Sequence, residues 1–256
     1  MKNFKDFTLS ESAKSDRYEA AVADNIDAME GISAERPRVS SKYADVLLAK
    51  DNKKTWLEVK MNHTDNLGNP RVSYVNGQWT AAKPLDPVKR FAIKYLTDSK
   101  ETQNFLQELA NFASIDNWKD MTVPSTKGLL KNKNAVSWEK MQEFMSNRQQ
   151  YILSVPNTDL GSLVTQHYLE GKAAPAHYMQ AADDFYLIGT KNPLGLPKDI
   201  PELGKPKQAI GTFKMRISVR SSSSGFYEIQ PEIKIAKMPV SKYSVMPGTK
   251  KKNPFV

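Results

Sequence analysis

Asp45 and the triplet Glu58-Val59-Lys60 stand on either side of a polar break in YADVLLAKDNKKTWLEVK. Strand-forming residues flank that break, and a two-residue loop at Asp51-Asn52 would fold them into a hairpin. In that register Asp45 lies directly opposite Glu58. Side chains alternate along a strand, so Lys60 shares the face of Glu58, while Val46, Leu48, Leu57 and Val59 fall on the other. A three-residue loop would slip the register by one and break the cluster. Two carboxylates and an ammonium on one sheet surface suit a hard divalent ion, Mg²⁺ first and Mn²⁺ as the alternative. Such an ion lowers the pKa of a bound water and stabilises charge at phosphorus. Lys60 would orient or help deprotonate that water. Without a ligand, Asp45 and Glu58 would simply repel. The bland alternative is an exposed cross-strand ion-pair cluster that contributes little.

The elements that must position these residues can be read from periodicity. A helix is expected over 10–30, with Tyr18, Ala21, Val22, Ile26 and Met29 at helical spacing. The connector GISAERPRVSS leads to the two strands. A second hairpin follows, RVSYV and QWTAA around Asn76-Gly77. Helices are expected over 87–97, 101–113, 138–151 and 159–170. DDFYLIG reads as a short apolar strand, and FKMRISVR and FYEIQPEIKI as two more; the tail MPGTKKKNPFV reads as mobile. The fold class expected is mixed α/β. A core over 1–190 carries a helical insertion over about 98–157, and a basic β-rich part over 191–256 packs on it.

A helix followed by strands bearing D…E-x-K resembles the PD-(D/E)xK, or restriction-endonuclease-like, nuclease superfamily. The resemblance covers roughly 10–62, and more loosely the α–β pair over 159–189. Ala44 stands where the family often has proline. The triplet alone is weak: Asp51-Asn-Lys53, Asp98-Ser-Lys100, Glu170-Gly-Lys172 and Glu232-Ile-Lys234 also occur, and only the Glu58 and Glu232 examples sit in apolar strand contexts. The resemblance implies a restriction-endonuclease-like sheet flanked by helices. It also implies hydrolysis of DNA phosphodiester bonds, as an endonuclease of phage or restriction type. Asp45 and Glu58 would hold the metal, with Lys60 beside them. A further acidic ligand from the first helix would be Glu19, with Glu11 and Asp16 as competitors. Members often act as dimers, which leaves a homodimer open. The alternative is a non-catalytic nucleic-acid-binding protein with a nuclease-like fold.

Charge supports a polyanionic partner. Residues 1–188 carry 24 basic and 24 acidic side chains; 189–256 carry 13 and 4, so the net +9 falls in the last quarter. Basic surfaces bind nucleic acid largely through counterion release. Lys214, Arg216 and Arg220 alternate with apolar residues along one strand, and Arg71 lies near the presumed catalytic face, so these four are the expected DNA contacts. Histidines are scattered, cysteine is absent, and nucleotide-loop, nucleophile-elbow and H-E-x-x-H motifs are missing. No run of eighteen apolar residues and no apolar leader occurs, so neither a membrane span nor export is expected. The expected compartment is the cytoplasm of a bacterium or phage-infected host.

Overall fold

The computed structural model describes residues 11–37, 43–219 and 227–256 of the chain. They form a mixed α/β protein with two sheets, one mixed and one antiparallel along its main path, flanked by helices. The chain divides into two compact units whose segments alternate along the sequence. One comprises 1–65, 164–209 and 237–256; the other comprises 66–163 and 210–236.

In the first unit, α1 (Glu11–Asp27) precedes β1 (Ser33–Glu35), β2 (Val46–Lys50) and β3 (Lys53–Lys60). Asp51 and Asn52 take φ of 49° and 60°, the positive pair required by a type I′ loop. The ladder therefore pairs Val46 with Leu57, and Lys50 with Lys53. One position further out stand Asp45 and Glu58, as the two-residue loop predicts. β1 adds antiparallel to β2, through Ser33 opposite Ala49. On the other side of β3, Ala176–Ala181 runs parallel to it. A parallel neighbour needs a long crossover, and here more than a hundred residues separate the two strands in sequence. Asp184–Ile188 and Glu202–Leu203 complete the sheet.

Val22 and Ile26 of α1 pack with Val46, Leu48, Leu57 and Val59, so the apolar face of the hairpin is the core face. β3 is also buried on its other side, where Trp56 and Glu58 lie. That is why TWLEV reads as a nearly continuous apolar run rather than a clean alternation.

The second unit is built on an antiparallel path of strands: Gln78–Ala81, Val72–Val75, Tyr227–Lys237, Ile210–Val219 and Tyr151–Asp159. Helices Pro87–Asp98, Lys100–Ala113 and Trp138–Met145 belong to it. Asp86 and Ser99 cap the first two by accepting from Lys89 N and Thr102 N, at 2.8 and 3.2 Å. Phe213 stacks on Tyr95 with ring centroids 4.3 Å apart.

Three expectations need correction. The boundary at 190 does not divide the units, because the strands of 210–236 pair with those of the middle of the chain. The insertion over 98–157 is not wholly helical: the helix beginning at Trp138 stops at Met145, and Tyr151–Asp159 is a strand paired with Ile210–Val219. The tail is docked. Phe255 meets Phe185 edge-on at 5.7 Å, Val245 is buried, and Lys251 Nζ lies 2.7 Å from Asp184 Oδ1. One of the tail's three consecutive lysines, Lys251, supplies the cation beside buried Asp184. Lys251→Met is thus expected to cost about 1–3 kcal/mol, the usual penalty for stranding a buried polar group. A urea midpoint no lower than wild type would show that the tail does not carry this load.

Candidate active site

Asp45 ends the loop before β2, and its Oδ2 accepts from Val59 N at 2.8 Å. That bond orients the carboxylate across the hairpin towards Glu58. Glu58 is 2 % exposed. Its Oε1 lies 2.7 Å from Lys60 Nζ, whereas its Oε2 is buried and makes no hydrogen bond. Glu58 and Lys60 thus share one face of β3, and the Asp45 carboxylate is bonded to the backbone N–H of the residue between them.

The surroundings come from segments distant in sequence. Asp65 Oδ1 lies 3.5 Å from Lys60 Nζ, and Asp65 Oδ2 accepts from the Tyr168 hydroxyl at 2.5 Å. Lys172 Nζ lies 3.7 Å from Glu58 Oε2. Tyr168 sits in the irregular helical turn Gln166–Glu170, which contacts the parallel strand Ala176–Ala181. This cover explains why Glu58 is buried rather than displayed on an open sheet. Sequence reasoning missed Asp65, Tyr168 and Lys172. Glu170-Gly-Lys172 was only one of several uninformative triplets, and nothing local links Asp65 to Tyr168, 103 positions away.

Electrostatics follow from crowding acids in a dry place. Burial, reinforced by the neighbouring Glu58, pushes the Asp45 carboxyl up to about 7, against the pull of the Val59 N–H and Lys60. For Lys60, burial works to lower the pKa, but Glu58, Asp65 and Asp45 together outweigh it and hold the ammonium above the ordinary lysine value. The Tyr168 hydroxyl is raised by its burial, then by Glu58 and Asp65, so it stays a proton donor. Burial, with help from Lys172, lowers His167.

Glu19 is held otherwise. Its Oε2 lies 2.7 Å from Arg36 Nη2, which also pairs with Asp16 at 2.7 Å, and Ser15 Oγ donates to its Oε1 at 3.2 Å. Glu19 still contributes to raising Asp45, but Arg36 already neutralises it.

A second cluster lies just past β3. His63 Nε2 is 2.6 Å from Asp184 Oδ2, and one ligand atom from each of His63, Asp183 and Asp184 falls within 4.8 Å of the others, so the group could hold a metal ion. Lys251 Nζ, however, sits 2.7 and 3.0 Å from these two acids, and Ser241 N donates to Asp184 Oδ1 at 2.6 Å. Asp184 is thus already bonded by Lys251, the Ser241 N–H and His63.

Of the expected DNA contacts, Lys214 and Arg216 do lie on the half-exposed face of Ile210–Val219, with Phe213, Met215 and Ile217 buried opposite. Lys214 Nζ rests 5.0 Å from the Tyr151 ring centre, and Arg216 Nη2 donates to Gln230 Oε1 at 2.9 Å. Arg71 is paired with the buried Glu228, which accounts for its position without a phosphate. Arg220 lies outside the described residues. Other C-terminal lysines have acidic partners too: Lys205 with Glu202 at 2.6 Å, and Lys242 with Asp199. The basic surplus is thus less free than the tally of charges suggests.

Cavities of about 710 and 600 Å³ occur in the second unit, one lined by Arg71, Ser73 and Gln78, the other by Phe91, Tyr95 and Lys100. Neither is lined by Asp45, Glu58 or Lys60, so the site is assigned on chemistry rather than concavity. Among the described residues no helix is long and apolar enough to cross a membrane. Comparisons with protein-family models, curated proteins and solved structures gave no match.

Proposed function

We propose that the chain is a Mg²⁺-dependent deoxyribonuclease, acting as an endonuclease, with Asp45, Glu58 and Lys60 at its centre. The observation that carries this reading is the buried Glu58 Oε2, which makes no hydrogen bond at the position where the hairpin register sets Glu58 opposite Asp45. A buried orphan oxygen costs about 1–3 kcal/mol, and a cation beside it removes that cost. Further support comes from the order of elements: a helix, the hairpin, helical turns ending at Glu170, and a strand parallel to β3. The helix, the hairpin and a later helix-to-strand pair are the parts on which the resemblance rests; the parallel strand Ala176–Ala181 is not among them.

The residues suit Mg²⁺, which takes one or two carboxylates and keeps waters and phosphate for the rest of its shell. Asp45 and Glu58 would hold the ion; Mn²⁺ would serve as a substitute. Bound there, the ion would acidify a water and neutralise charge at phosphorus. Lys60, fixed between Glu58 and Asp65, presents a cation to the developing oxyanion, and Tyr168 keeps Asp65 in place for that purpose. We assign the ion here rather than to His63, Asp183 and Asp184 because the oxygens of buried Asp184 are already bonded by Lys251, Ser241 N and His63, whereas Glu58 Oε2 has no hydrogen bond. Lys214 and Arg216 are the side chains we assign to DNA backbone contact.

The test is incubation of supercoiled plasmid with the protein and Mg²⁺, with EDTA as the control. Nicked or linear product that EDTA abolishes is the expected result. Salt-sensitive DNA binding without any cutting would instead favour a non-catalytic binder, a reading to which the burial of Glu58 lends weight.

A further inference from the structure

Lys172 is the one lysine whose ammonium approaches the orphaned oxygen of Glu58, at 3.7 Å, among the described residues. The approach is too long for a good hydrogen bond. Its side chain is nonetheless only 15 % exposed. It lies over the Tyr168 ring at 5.8 Å from the centroid. Lys60 is different in kind: it holds Glu58 Oε1 at 2.7 Å and has Asp65 on its other side. Glu58 therefore has one oxygen firmly bonded and one that faces a loosely held cation.

We propose that Lys172 is a resident counterion, which occupies the cation seat at Glu58 Oε2 and yields it to a divalent ion, becoming available to a phosphate oxygen of DNA. This rests on the assignment of the metal to Asp45 and Glu58. Without any cation near Oε2, a buried carboxylate would carry an uncompensated oxygen beside Asp45. A lysine on a flexible stem at the end of a helical turn can relieve that and still leave. The same ammonium must then oppose metal uptake, because it adds positive charge where the ion binds. Once displaced, it needs an anion, and a DNA phosphate is the one that the proposed reaction brings. Metal and DNA would thus favour each other's binding through Lys172, and linkage requires the effect to be mutual.

The test is Mn²⁺ binding in the absence of DNA, followed by electron paramagnetic resonance of the free ion, on wild type, Lys172→Met, Lys172→Arg and Glu58→Gln. A second measurement is fluorescence-anisotropy binding of a labelled duplex in Ca²⁺. Lys172→Met removes one positive charge from the seat and leaves the Lys60–Glu58 contact in place, so it is expected to bind Mn²⁺ on the order of tenfold more tightly. It is expected to bind the duplex several-fold more weakly, roughly the loss of one phosphate contact. Lys172→Arg, which keeps the charge, should stay close to wild type in Mn²⁺ binding. It is also the variant to compare with Lys172→Gln if the methionine variant does not fold. Equal or weaker Mn²⁺ binding in Lys172→Met overturns the seat, and tighter Mn²⁺ with unchanged DNA affinity overturns the phosphate role. If wild type binds no Mn²⁺ and Glu58→Gln is no different from it, the metal assignment falls and takes this inference with it.

Discussion

Glu58→Gln is expected to lower Mg²⁺-dependent cleavage of DNA by about two to three orders of magnitude, the scale on which losing a central electrostatic stabiliser acts. The amide keeps the shape of the side chain but cannot serve as a charged ligand. It also leaves Lys60 with Asp65 as its remaining ion-pair partner among the described residues, and removes the carboxylate that Lys172 faces. Because Glu58 is almost fully buried, the same change should be felt in stability. Removing one partner of a buried ion pair typically costs about 3–5 kcal/mol. The two effects can be separated by measuring cleavage well below the variant's melting temperature, with circular dichroism to show that it is folded. Lys60→Ala should fall to a similar extent, since the ammonium is held within the same cluster. A folded Glu58→Gln protein that cuts at the wild-type rate would remove Asp45, Glu58 and Lys60 from the chemistry.

The second large effect concerns pH. The folded protein holds the Asp45 proton up to about pH 7, whereas the group's ordinary value is 3.8, because burial and the adjacent Glu58 disfavour the anion. Between those two values the folded state binds more protons than the unfolded chain, so stability falls as pH rises through that window. The stabilisation is whole below about pH 4 and gone above about pH 7. Asp45→Asn cannot ionise and can still accept the Val59 N–H. Without metal it should therefore exceed wild type in stability at pH 8 by about 2–4 kcal/mol, with the difference shrinking to nothing near pH 4. Adding Mg²⁺ at pH 8 should raise the melting temperature of wild type and leave that of Asp45→Asn unmoved, since an ion that binds only the folded state stabilises it. Parallel pH–stability curves for the two proteins would show that Asp45 is not strained in this way.

Each large effect traces to a feature of a different range. The hairpin was readable because strand pairing is local: two positive-φ residues, Asp51 and Asn52, settle the register, and the register places Asp45, Glu58 and the core face together. α1 was readable because Val22 and Ile26 recur at helical spacing over a sufficient length. Ser33–Glu35 escaped notice, as three residues carry no periodicity; they form a strand only because β2 offers an edge. Ala176–Ala181 was missed for a related reason. It is buried at every position, so it shows no alternation to betray a strand.

The acids and the lysine of β3, and the pairing that brings them to one face, are written in fewer than twenty consecutive residues, because backbone ladder geometry acts over that span. What tertiary structure alone decided is the environment of that face. The turn bearing Tyr168 closes over it, Asp65 and Lys172 supply charge from remote segments, and Lys251 returns from the far end of the chain to neutralise Asp184. Burial and charge neighbours depend on which segments meet in space, and it is these that lift Asp45 to about 7 and strand one oxygen of Glu58.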